Sequence, residues 1–86
     1  MHTVGMLEQA LTLIKATGYL VRQEWLGGSG GGGCQLRGRK VFFLDLALTP
    51  AEQLDQVLET LHSDPDMADL PVPRELGELL RRGRTG

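Results

Sequence analysis

Lys40-Val41-Phe42-Phe43-Leu44-Asp45-Leu46-Ala47-Leu48-Thr49-Pro50-Ala51-Glu52 joins a buried strand to the start of a helix. Val41 to Leu44 is apolar at successive positions. A strand of that kind is buried on both faces, which predicts the central strand of a sheet over Lys40 to Leu48. Thr49 then supplies an N-cap hydroxyl, Pro50 takes the first helical position, and Glu52 completes a capping box. Leu54, Val57, Leu58 and Leu61 follow at the spacing of one helical stripe.

Outward toward the C-terminus, Asp64-Pro65 ends that helix. Ser63 to Val72 reads as a loop, and Pro73 opens a short last helix with Leu76, Leu79 and Leu80 turned inward. Arg81 to Gly86 is expected to fray.

Outward toward the N-terminus, Arg37 to Lys40 reads as a hairpin, with Gly38-Arg39 at the centre of a two-residue turn. Cys34 to Arg37 is a short strand, preceded by Gly27-Gly28-Ser29-Gly30-Gly31-Gly32-Gly33. Tyr19 to Leu26 alternates as a strand does. Before it, Leu7, Leu11 and Ile14 mark a helix over Val4 to Thr17, with Thr3 as N-cap and Gly18 after its end. The expected architecture is α+β in the order α-β-β-β-α-α: a helix, a three-stranded antiparallel meander, and two helices. Residues 1–86 form one domain, and Gly27 to Gly33 is its flexible loop.

At 86 residues there is room for one small core, built mainly of Leu and Val because the aromatics are Tyr19, Trp25, Phe42 and Phe43 alone. The net charge of −2 argues against a general nucleic-acid binder. Charge is unevenly placed. Arg22, Arg37, Arg39 and Lys40 make a basic region, whereas Glu52, Asp55, Glu59, Asp64, Asp66 and Asp69 run without a Lys or Arg. One cysteine excludes an internal disulfide. The chain has neither a signal-peptide pattern nor an apolar run of membrane-spanning length, so a cytoplasmic protein is expected.

The glycine run is the candidate site. Its unhindered N–H groups, with Arg22, Arg37 and Arg39 nearby, suit an anion. The residues concerned are Gly28, Gly30, Gly31, Gly32, Gly33, Cys34, Arg22, Arg37 and Arg39, with Lys40 beside them. Two blander readings stand alongside: a plain strand connection, and a tether of linker-like composition. Gly28-x-Gly30-x-x-Gly33 matches the dinucleotide fingerprint only formally, since no helix follows. Cys34 is either a thiol activated by nearby Arg22 and Arg37 or a small hydrophobe. No base is placed for it. Glu59 and His62 do not make a zinc site alone. Asp45, interrupting an apolar strand, is a functional candidate if it points inward, and a solvated or backbone-capping residue otherwise.

Gly33-Cys34-Gln35-Leu36-Arg37-Gly38-Arg39-Lys40-Val41-Phe42-Phe43-Leu44-Asp45 and Thr49-Pro50-Ala51-Glu52-Gln53 together resemble the core of the ImmA/IrrE zinc-peptidase family of phage and stress-response regulators. There a Gly-rich hairpin leads into an apolar strand and a Ser-Pro-initiated helix carrying His-Glu-x-x-His. The likeness spans Tyr19 to His62. Here the helix reads Val57-Leu58-Glu59-Thr60-Leu61-His62, so the resemblance implies the fold without the zinc or the peptidase activity.

These observations lead to a small non-enzymatic binding or regulatory module of a bacterial-type cytoplasm, with no cofactor, metal or catalytic residue. The apolar strand facing both ways points to a homodimer or a protein partner, with no membrane and no nucleic acid. The alternative is a thiol- or anion-dependent enzyme using Cys34 and the basic glycine loop.

Overall fold

A computed structural model describes residues 2–28 and 30–82. Helix α1 spans Thr3–Ala16, followed by strands β1 (Leu20–Glu24), β2 (Gly32–Leu36) and β3 (Arg39–Asp45). Helix α2 (Pro50–His62), a 3-10 turn (Pro65–Asp69) and α3 (Arg74–Arg82) complete the chain. The α+β class and the α-β-β-β-α-α order are therefore as expected. Arg81 and Arg82 belong to α3, and the rest of the tail expected to fray lies outside the described residues.

The sheet is not a meander. Its order is β1-β3-β2, with β3 central, β2 antiparallel to it and β1 parallel to it. The apolar strand takes the middle because only there are both of its faces shielded. The tight hairpin fixes β2 on one edge of β3. Strand β1 then pairs with the remaining edge, Leu20 opposite Val41 and Glu24 opposite Asp45.

The hairpin turn also differs from the sequence expectation by one residue. Leu36 pairs with Arg39, so Arg37 and Gly38 are the central residues, with φ of 53° and 78°. Positive φ at both positions is the type I′ turn, whose twist matches that of the strands. Gly32 and Gly33, expected in the loop, are the first residues of β2.

Helices α1 and α2 pack against the sheet, and α3 packs against both helices. Met6, Ala10, Ile14, Phe42, Leu44, Val57, Leu61, Leu76 and Leu80 meet in one core. Phe42 and Leu44 are thus the helix-facing residues of β3. The capping box forms as read: the Thr49 hydroxyl accepts the Glu52 N–H at 3.2 Å, and Glu52 Oε1 accepts the Thr49 N–H at 2.9 Å. Helix α1 begins one residue earlier than expected. His2, not Thr3, is its N-cap, without a side-chain bond.

Candidate functional site

Strands β1 and β2 lie on opposite edges of the sheet, about 10 Å apart at the usual strand spacing. The connection between them must therefore cross the C-terminal end of β3, where Asp45 sits. Asp45 is fully buried. Its Oδ1 accepts the N–H groups of Leu26 at 3.0 Å and Ala47 at 2.9 Å, and its Oδ2 accepts that of Gly28 at 2.8 Å. Burial pushes the carboxyl pKa up, but the N–H donors of Ala47, Leu26, Gly28 and Gly30 outweigh it and hold the group below its ordinary value. The glycine run thus encloses an anion that the chain itself provides.

This crossing explains the glycines. Gly27 and Gly28 have φ of 72° and 84°, Gly31 and Gly32 of 100° and 95°, and side chains rarely adopt such values. Close approach adds a second requirement. A Cβ on Gly31 would lie 2.7 Å from the Gln56 amide oxygen, and one on Gly33 would lie 2.6 Å from Thr60 Cγ2. Helix α2 rests directly on the start of β2, and the Gln56 amide donates to the Gly30 carbonyl at 3.3 Å. Gln53 in turn donates to the Asp45 carbonyl at 2.9 Å.

The cations are not gathered at this loop. Arg37 and Arg39 lie at the hairpin, the opposite end of β3, about 20 Å away at the rise of a strand. Arg22 is engaged with Glu24 at 3.0 Å. Lys40 pairs with the buried carboxylate of Asp64 at 2.7 Å, reaches Asp66 at 3.3 Å and stands 4.8 Å from the centre of the Tyr19 ring. Its Nζ also donates to the Thr17 carbonyl. The Asp64 contact first, then Asp66, raises the Lys40 pKa against its partial desolvation. The same pairing helps lower that of Asp64, against burial, which raises it.

Cys34 is exposed on β2. His62 contacts the Leu80 carbonyl and His2 contacts Glu75 at 3.2 Å. No group of three or more His, Cys, Asp or Glu is placed to hold a metal ion among the described residues. A groove of about 490 Å³ opens between the helices over Met6, Leu54 and Leu79. The His2–Glu75 contact ties two of its walls together, so it reads as a helix seam.

The face of the sheet away from the helices has a regular composition, which the pairing register gives row by row. Leu36 and Arg39 form the row nearest the hairpin. Leu20, Val41 and Cys34 form the next, then Arg22, Phe43 and Gly32, and last Glu24 and Asp45. Leu20 is 52% exposed and Leu36 50% on this face, while Trp25 (73%) and Leu46 (43%) are exposed just past the ends of β1 and β3. Apart from Val4, these are the exposed large hydrophobic residues among those described. The two-sided apolar strand read from the sequence does not by itself single out Leu20 and Leu36. Their placement depends on the strand order.

No family model, curated protein or solved structure matches the chain. No helix among the described residues is long and apolar enough to cross a membrane.

Proposed function

We propose that this chain is a small non-enzymatic binding module of the bacterial cytoplasm whose working surface is the uncovered face of the sheet. The observation that carries this reading is the half-exposure of Leu20 and Leu36 around Val41 and Phe43, on a face no helix covers. Apolar surface gathered in one patch with a charged rim favours a protein partner. Arg22, Arg39 and Glu24 supply that rim.

The alternative, an enzyme dependent on the Cys34 thiol or on an anion held by Gly28 and Gly30 to Gly33, has weaker support. The Gly28 N–H already serves Asp45, and Arg37 and Arg39 stand at the far end of the strand. Affinity capture from the source cell with wild type and with a Leu20→Glu/Leu36→Glu double variant tests the reading. A partner, or a second copy of the chain, retained by the wild type and lost with the folded double variant supports it. Equal capture by both places the working surface elsewhere.

A further inference from the structure

The seam between the three helices is not filled. Thr3 on α1 and Ala51 on α2 stand on its two walls where those helices begin, and side chains this small leave the helix ends apart. On one side of this neck lies the groove of about 490 Å³ over Met6, Leu54 and Leu79. On the other lies a more open hollow of about 460 Å³ beside Val4, Thr49 and Pro50, which shares His2, Thr3 and Ala51 with the groove. Val4, 55% exposed, is the large hydrophobic residue that the open sheet face leaves unexplained.

The two ends differ in charge. Asp55, Glu75 and Glu78 stand around the groove, with Arg82 as their counter-charge, whereas the hollow beside Val4 has no ionisable neighbour but the shared His2 among the described residues. Asp55 and Glu78 have no ion-pair partner among the described residues. Glu75 holds His2 through a contact in which both side chains are 63% exposed, and such contacts contribute little. Arg82 is exposed at the last position of α3, where the helix dipole favours its charge.

We propose that the groove binds a small organic cation with an apolar tail, an alkylamine in chemical class. Its ammonium sits among Asp55, Glu75 and Glu78, displacing His2 from Glu75, and its tail runs past Ala51 toward Val4. Charge selects the cation, because an anion there would face the same carboxylates. The apolar floor selects the tail, because each methylene it removes from water adds affinity. Size selects a small molecule: the volume falls within the range of about 300–1,000 Å³ typical of such sites, whereas a protein partner needs about 800 Å² from each side. The groove lies on the helix side of the molecule, so the inference goes beyond the reading of the open sheet face and does not depend on it.

Titration of the full chain with octylammonium, followed by amide NMR, tests the proposal, with butylammonium and octanoate as companions. At the affinity usual for a ligand of this size, octylammonium should saturate with a Kd of about 1 mM. Shifts are expected at Val4, Met6, Ala51, Asp55, Glu78 and Leu79. Butylammonium should bind about tenfold or more weakly because its tail is shorter, and octanoate about tenfold or more weakly through repulsion. Asp55→Asn/Glu78→Gln should weaken octylammonium about fivefold to tenfold without weakening octanoate. Ala51→Leu fills the neck and should reduce octylammonium to the affinity of butylammonium. All three positions are exposed, and amide dispersion shows that each variant is folded; if Ala51→Leu is not, the carboxylate variant decides. Equal binding of octylammonium and octanoate, unchanged affinity in the carboxylate variant, shifts confined to the open face around Leu20 and Leu36, or no saturable shift by about 10 mM each overturns the proposal. None of these results touches the Leu20→Glu/Leu36→Glu capture, which reads the open face separately.

Discussion

The Oδ2 of Asp45 accepts the N–H of Gly28 at 2.8 Å, joining the end of the central strand to the crown of the loop that crosses it. With Leu26 and Ala47 on Oδ1, one buried carboxylate terminates β3, anchors the crossing and opens the turn toward α2. Asp45→Asn replaces an acceptor by an amide donor aimed at N–H groups, and Asp45→Ala leaves those groups unpaired. Both should lower the melting temperature, and the amides of Leu26, Gly28 and Ala47 should lose their protection in hydrogen exchange. Unchanged exchange at Gly28 in either variant would remove the anchoring role.

The pH dependence follows from the same group. Asp45 and Asp64 have pKa values below the ordinary 3.8 in the folded protein. Their stabilisation is present above that value and is lost as pH falls through the lower folded values. Lys40 lies above its ordinary 10.5 and Tyr19 above 10.0, Tyr19 through burial and then the Asp64 charge. Their contributions hold below those values and vanish as pH rises past the raised ones. Urea midpoints should thus form a plateau between about pH 5 and 9, falling on both sides. Asp64→Asn should flatten both flanks, since it removes a depressed carboxylate and the partner of Lys40.

Arg37 occupies the left-handed region at φ 53°, where residues with a full side chain are disfavoured. Asn suits that position of a type I′ turn, so Arg37→Asn should stabilise the fold by about 0.5–1 kcal/mol. Chemical denaturation measures it. A loss of stability would show that the turn is not Arg37–Gly38.

Gly33→Ala should destabilise by about 1–3 kcal/mol, because the methyl meets Thr60 and the Tyr19 ring in a packed contact. Thr60→Ser removes the nearest obstructing atom and should restore part of the loss. Gly32→Ala finds open space and should cost only the strain of φ 95°, on the order of 1–2 kcal/mol.

Thr49→Ala should cost about 1 kcal/mol through the lost cap bond to Glu52. An unchanged denaturation midpoint would mean that the cap does not hold the start of α2.

What was legible in the sequence was what local chemistry fixes. Thr49, Pro50 and Glu52 place the start of α2, Val41 to Leu44 mark the central strand, and Gly18 follows α1 with φ of 102°. The strand order was not legible, because the alternation in β1 is the same whichever edge it joins. The turn was read one residue late because an arginine at positive φ has no sequence signal. The function of the glycines depended on the order: only a loop that crosses β3 brings Gly28 to Asp45. The signals available were the lone carboxylate ending an apolar strand and the small residue Ala47 two positions on.

The central claim, that the uncovered sheet face and not the glycine loop is the working surface, is tested most directly by amide NMR on one sample series. On dilution, shifts should concentrate at Leu20, Arg22, Cys34, Leu36, Val41 and Phe43, and millimolar phosphate should leave Gly28 and Gly30 to Gly33 unmoved. Concentration-independent spectra together with phosphate shifts confined to Gly28–Arg39 would contradict the account.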